Sequence, residues 1–227
     1  INPPILVFSP VRRVKNNTSK HTLDNVNQVK ECVISLVIEE IAQQVSLASC
    51  DFDKGTNEFE KAGFTAIKSD LISPSRIKES PINFECKVNE VITLGEEGGS
   101  GSLVLCEVLK IHIDDSILDE NNAIDPFKLN LVSRLGANWY GKTNRDSLYE
   151  IAKPISRMGM GIDNLPEEIR NSVILTGNEL AILASAENIP EKKEFTFRDK
   201  KNKEEKHILA KKLLSQGKAE DAWQILL

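Results

Sequence analysis

Two long alternating runs constrain this chain most: "INFECKVNEVITLG" (82–95) and "GSLVLCEVLKIHI" (101–113). In the first, Ile82, Phe84, Cys86 and Val88 recur at every second position. In the second, Leu103, Leu105 and Glu107 keep the same period. Successive side chains of an extended strand point to opposite faces, so this spacing predicts strands and not helices. The linking "GEEGGSG" is rich in glycine, which predicts a hairpin connection and hence an antiparallel pair. It lacks the Lys-Ser/Thr ending of a phosphate-cradling P-loop, so a turn is its reading.

The other segments fit around that pair. Ile5 to Ser9, closed by Pro10, predicts a short buried strand. Thr22 or Asp24 is expected to cap a helix running to about Lys30. "CVISLVI" (32–38) is rich in β-branched residues and reads as a central strand. "EEIAQQVSLAS" puts Ile41, Val45 and Ala48 on one helical face, and "CDFDKGTNEFEKAGF" reads as a surface excursion with a helical turn around Asn57 to Lys61. "DPFKLN" predicts a short helix, and "LVSRLGANWYGKT" a strand turning into a loop.

From about Ile151 the pattern becomes helical. Pro166 with Glu167 and Glu168, then Thr176 or Asn178 ahead of "ELAILASA", are helix-start signals. "RDKKNKEEK" reads as a solvated linker or helix face. The last segment predicts a helix pair broken at Gly217, with Leu209, Leu213 and Leu214, then Ala222, Trp223, Ile225 and Leu226, as its apolar stripe. The expected class is α+β, mainly β, with a β-rich body over 1–150 and a helical extension over 151–227. The chain opens on "INPPILVFSP", inside a strand and without Met, so further residues are expected upstream.

Composition narrows the function. A net charge of -5 argues against a general nucleic-acid binder, which needs excess cations to neutralise phosphates. The longest apolar run, Cys32 to Ile38, falls short of the ~20 residues a membrane span needs. The cysteines at 32, 50, 86 and 106 form no C-x-x-C pair and read as reduced core thiols of a cytoplasmic protein. No metal-ligand spacing and no nucleophile–base arrangement is present in the sequence, so no catalytic side chain and no metal is expected. His112 reads as a core or interface residue, and Asp114 with Asp115 as turn residues.

Two constellations remain. "SPVRRVKNNTSKHTLDNV" gathers Arg12, Arg13, Lys15, Lys20 and His21 between a strand and a helix start. Backbone N–H groups and the helix dipole favour an anion there, and arginine or lysine adds charge-assisted hydrogen bonds. The same residues also read as a solvated basic loop. In "RLGANWYGK", Gly136 and Ala137 permit close approach of a ligand, and Trp139 and Tyr140 offer planar faces. A strand-end turn with two core aromatics is the alternative.

"NPPILVFSPVRR", "SKHTLDNV", "ECVISLVIEEIAQQVSLASCDFDKGTNEFEKAGFT", "SPINFECKVNEVITLG", "LVLCEVLKIHIDDSIL" and "IDPFKLNLVSRLGANWY" occur here in an order that resembles the flavin-reductase-like FMN-binding split-barrel proteins, and within them the flavoredoxin branch. The resemblance covers roughly residues 2–142. It implies an antiparallel Greek-key split β-barrel, a homodimer and FMN bound near the subunit interface. Many members transfer hydride from NAD(P)H to flavin; others are FMN electron carriers that meet an electron-accepting protein.

Carried over by motif, Arg12, Arg13, Lys20 and Thr22 would bind the FMN phosphate and ribityl chain, with His21 where the family usually has Asp. Ser49 and its neighbours in "SLASCDF" would lie near the isoalloxazine edge, and Arg134, Gly136 and Tyr140 would line the flavin pocket, with Ala137 replacing a second Gly. Family members carry two strands before "NPPI"; a molecule truly lacking them would leave one wall of the barrel open, and a gap in the chain as it stands is the expected reading. A hydride passing to the flavin ring requires stacking and electrostatic tuning from the protein and no acid or nucleophile, which agrees with the lack of a catalytic triad in the sequence.

Overall fold

The computed structural model describes residues 2–151, 158–193 and 202–227. The chain forms two compact units, Ile1–Tyr149 and Glu150–Leu227.

In chain order the first unit contains β1 (Ile5–Phe8), α1 (His21–Val29), β2 (Glu31–Ser35), α2 (Ala42–Ala48), α3 (Glu58–Ala62), β3 (Ala66–Ile67), β4 (Arg76–Ile77), β5 (Ile82–Thr93), β6 (Ser102–Ile113), β7 (Val132–Gly136) and β8 (Trp139–Lys142). The alternating runs form the predicted antiparallel pair, β5 against β6, joined through the glycine-rich turn. Flanking strands complete a four-stranded antiparallel sheet of order β1-β6-β5-β2. Register shifts between Glu85 and Cys86 and between Val88 and Glu90 bend the long hairpin, as bulges do.

One sheet face carries Cys86, Val88, Val104 and Cys106, and α1 closes over it with Leu23 and Val26. The spacing of Leu23 and Val26, three apart, places both on the helix face that meets the sheet. The opposite face is also covered. There the polar positions of the alternation, Asn83 and Glu85, are buried under the segment that carries β3 and β4. Asn83 donates to the carbonyls of Ile77 and Ser80 and accepts from Ile77 N–H. Glu85 accepts from the N–H groups of Asp70 and Leu71, at 2.8 Å each.

Several sequence expectations are corrected. β2 ends at Ser35 and lies at the sheet edge, not its centre, because the chain leaves β5 to pair Ile38 with Leu131. β1 is the other edge, and its Val7 is 55% exposed. The helix expected to be capped by Thr22 or Asp24 begins at His21, with Lys20 in the N-cap position and no side-chain cap. Asp24 instead accepts a hydrogen bond from Ser19 Oγ. The "strand turning into a loop" is a hairpin, β7 with β8. The short helix at "DPFKLN" is one 3-10 turn, Pro126–Lys128, capped by Asp125. Cys50 is exposed and so is not a core thiol.

The second unit holds α4 (Glu167–Arg170), α5 (Gly177–Ala184), α6 (Lys203–Ser215) and α7 (Ala219–Leu226). Thr176 and Glu179 form a capping box at α5, and Asn202 and Glu205 another at α6. Their core joins Leu165, Ile169, Leu183, Ala210, Leu214 and Trp223. Of the charge run, 198–201 lie outside the described residues, and 203–206 form the first turn of α6. His207, unremarked in sequence as a core residue, is buried with its Nδ1 2.6 Å from Ser172 Oγ.

Candidate functional site

The connector between β1 and α1 is shaped by the glycine-rich turn it packs against. Arg12 N–H donates to the Ser100 carbonyl, and Gly99 N–H donates to the Arg12 carbonyl. A Cβ on Gly98 would stand 3.0 Å from the Val14 carbonyl oxygen, so only glycine permits that approach without displacement. The turn between the two longest strands thereby sets the position of the cationic loop.

Within the loop the two arginines diverge. Arg12 donates from Nε to Asn17 Oδ1 at 2.8 Å and also reaches the Asn17 carbonyl, bracing the loop. Arg13 donates to the Ser19 carbonyl and, from Nε, to Asp51 Oδ1 at 3.0 Å. Lys20 Nζ reaches the same Asp51 oxygen at 3.4 Å. The Arg13 hydrogen bond, with help from Lys20, holds the Asp51 carboxyl below its ordinary range.

Arg13, Lys20, His21, Thr22, Ser49, Asp51, Phe52 and Glu58 line a cavity of about 180 Å³ at the start of α1. A neighbouring cavity of about 490 Å³ shares Arg13, Lys20, Asp51 and Phe52. Four residues named from sequence thus converge: Arg13, Lys20, Thr22 and Ser49. Ser49 takes its place as the C-cap of α2, where its hydroxyl donates to the Ser46 carbonyl. An uncapped helix start with two cations beside it is suited to an anionic ligand. Asp51 and Phe52 lie in the "SLASCDF" stretch expected near the isoalloxazine edge, but the pairing of Asp51 with Arg13, across 38 residues of chain, is not visible in the sequence.

Arg134, Gly136 and Tyr140 sit together in the β7–β8 hairpin. The Arg134 guanidinium donates to Tyr140 Oη at 3.0 Å and to the Ala137 carbonyl at 2.6 Å, and stands 5.1 Å from the Tyr140 ring centre. Gly136 and Ala137 have φ of 99° and 44°; the left-handed region suits the glycine and strains the alanine. Trp139 is 73% exposed, so the bland expectation of two core aromatics does not hold. Neither of the two cavities beside Arg13 and Lys20 is lined by this hairpin.

A second polar cluster lies on the covered sheet face. Asp70, Glu85 and His112 bring one ligand atom each within 4.8 Å of one another. Lys110 pairs with Asp70, and Arg76 stands 3.8 Å from Glu85, so positive charge already balances both carboxylates. That balance disfavours a metal ion. Among the cysteines, Cys32 Sγ lies 3.6 Å from Cys106 Sγ, and burial pushes the Cys106 thiol up to about 12, which makes it unreactive. All four cysteines are free.

An antiparallel sheet with α1 over one face and two cations at its strand–helix junction is the scaffold of a split-barrel protein. Residues 1–131 match the family described as "Flavin reductase like domain", and the chain belongs to that family. A relative in Aquifex aeolicus, known only as an uncharacterized protein, is 36% identical over 140 residues, covering 62% of this chain and 69% of its own. Nitrilotriacetate monooxygenase component B from Bacillus cereus is similar in structure, with 26% identity and TM-score 0.58, over 67% of this chain and 72% of that one. A Shewanella frigidimarina structure described as having a split barrel domain, at 24% identity and TM-score 0.56, covers 67% and 72% and shows the shared fold. No helix among the described residues is long and apolar enough to cross a membrane.

Proposed function

We propose that this protein binds FMN and transfers hydride from NAD(P)H to it as a flavin oxidoreductase. The observation that carries the reading is the convergence of Arg13, Lys20 and Thr22 at the uncapped start of α1. A phosphomonoester carries nearly two negative charges at neutral pH and three acceptor oxygens, which matches two cations and free backbone N–H groups. The adjoining 490 Å³ cavity, with Phe52 on its wall, falls within the range of small-molecule sites.

Bound FMN would supply a ring able to accept hydride, chemistry that no side chain provides. Arg13 and Lys20 hold the phosphate end, and Thr22, within the first turn, and Ser49 lie on the cavity wall. Arg12 acts one step back, holding the loop through Asn17. Arg134 and Tyr140 stiffen the exposed β7–β8 hairpin, and we assign that hairpin to the flavin pocket completed across a homodimer. Four free thiols fit a cytoplasmic location.

A second reading has one observation in its favour. Ala137 carries a methyl group at φ 44°, where the family has glycine, and that methyl narrows the space beside the hairpin available to a nicotinamide. On this reading the protein is an FMN-binding carrier that passes electrons to a partner protein, or a scaffold without turnover. Anaerobic addition of NADH or NADPH to the FMN-loaded protein separates the two. Bleaching of the flavin by either nucleotide supports the oxidoreductase, and a spectrum unchanged by both supports the carrier.

A further inference from the structure

We infer that Asp51 is a built-in competing anion: its carboxylate occupies the position of the flavin phosphate between Arg13 and Lys20, and it keeps FMN exchangeable. The ligand named here rests on the FMN reading above; the competition itself rests on ion-pair geometry alone.

One oxygen, Asp51 Oδ1, takes both cations, Arg13 Nε at 3.0 Å and Lys20 Nζ at 3.4 Å. The cations belong to the β1–α1 connector, whereas Asp51 follows α2. Among the described residues the Asp51 carboxylate makes no other hydrogen bond or ion pair, and its side chain is 59% exposed. It is therefore not a structural pillar. His21 and Glu58 are the other titratable groups on the cavity wall besides Cys50, and neither meets Asp51 in a hydrogen bond or ion pair.

An anion that enters this site competes with the carboxylate for both cations. The incoming phosphate meets charges that Asp51 already partly satisfies, so its charge-assisted hydrogen bonds gain less. The site without ligand is thus already partly neutralised, and affinity for a phosphate falls below what the two cations alone would give. A flavin lacking the phosphate has no reason to move Asp51 and is indifferent to it. The consequence is a flavin that comes and goes, as a substrate does, and not one held permanently.

The test compares the wild-type protein with Asp51→Asn and Asp51→Ser, using FMN, riboflavin and inorganic phosphate as ligands at low and moderate salt. Exposed ion pairs are modest, so both variants are expected to bind FMN and inorganic phosphate about three- to tenfold more tightly, with riboflavin unchanged. The gain shrinks as salt rises. Equal or weaker FMN and phosphate binding in both variants overturns the inference. If phosphate binds and tightens but FMN binds to none of the proteins, the FMN reading falls and the competing carboxylate stands. If FMN binds all three proteins alike, the carboxylate inference falls and the FMN reading stands. If neither anion binds any of them, both fall.

Discussion

His112 Nε2 lies 2.6 Å from Oε1 of Glu85, a carboxylate with no solvent exposure. Burial alone would raise this carboxyl, but the N–H groups of Asp70 and Leu71, together with His112, hold it below the ordinary range. Through those two N–H groups Glu85 pins the segment carrying β3 and β4 onto the sheet, and His112 on the neighbouring strand holds the carboxylate in place.

Glu85→Ala is therefore expected to cost about 3 kcal/mol in the first unit, because it removes a fully buried carboxylate on which two part-buried N–H groups and His112 converge. Because the folded carboxyl titrates below its unfolded value of 4.5, its contribution is complete above that value and is lost as pH falls through the lower, folded one. Urea unfolding of wild type and variant at neutral and acidic pH checks both the size and the sign.

In the second unit the buried His207 accepts from Ser172, or donates to it, at Nδ1. Burial, and then Lys203, push its pKa below 6.5. The unfolded chain consequently takes up the proton first, so stability is full above 6.5 and declines as pH drops towards the folded value. Trp223 is 2% exposed and reports on this unit. In a Trp139→Phe background its emission should shift to the red at lower denaturant as the pH is reduced, and His207→Gln should flatten that dependence.

The Asn202 carboxamide accepts from Glu205 N–H, and the Glu205 carboxylate accepts from Asn202 N–H, at 2.9 Å each. Asn202→Ala leaves Glu205 N–H without its side-chain acceptor, while the backbone N–H of residue 202 keeps its bond to the Glu205 carboxylate, and should lower the stability of the second unit by about 1 kcal/mol. Denaturant midpoints followed by Trp223 fluorescence measure it.

At the anion site the two arginines should behave differently. Arg13→Ala and Lys20→Ala each remove a cation from the cavity and are expected to weaken FMN binding by about 1.5–3 kcal/mol. Arg12→Ala removes a brace to Asn17 and should weaken it less. Calorimetric titration of the three variants gives the order.

Much of this architecture is legible in the residues. The alternation of Ile82, Phe84, Cys86 and Val88 gives the hairpin directly, and the spacing from Thr176 to Glu179 gives a helix start. The contribution of Glu85 is hidden, because a polar residue at an outward position looks solvated until the 64–80 segment is seen to cover it. The site divides in the same way. Arg13, Lys20 and Thr22 stand close in sequence and could be grouped there, whereas the meeting of Asp51 with Arg13 and Lys20 arises only through tertiary packing. Arg12 and Arg13 are indistinguishable as letters, and only the position of Asn17 separates brace from ligand-facing cation.

Titration of the wild-type protein with FMN and with riboflavin, followed by the visible flavin spectrum, most directly probes the phosphate anchor. The account predicts that FMN binds and that riboflavin, lacking the phosphate, binds at least ~30-fold more weakly, the loss of one to two charge-assisted contacts. Equal affinity for the two flavins, or no uptake of FMN, contradicts it.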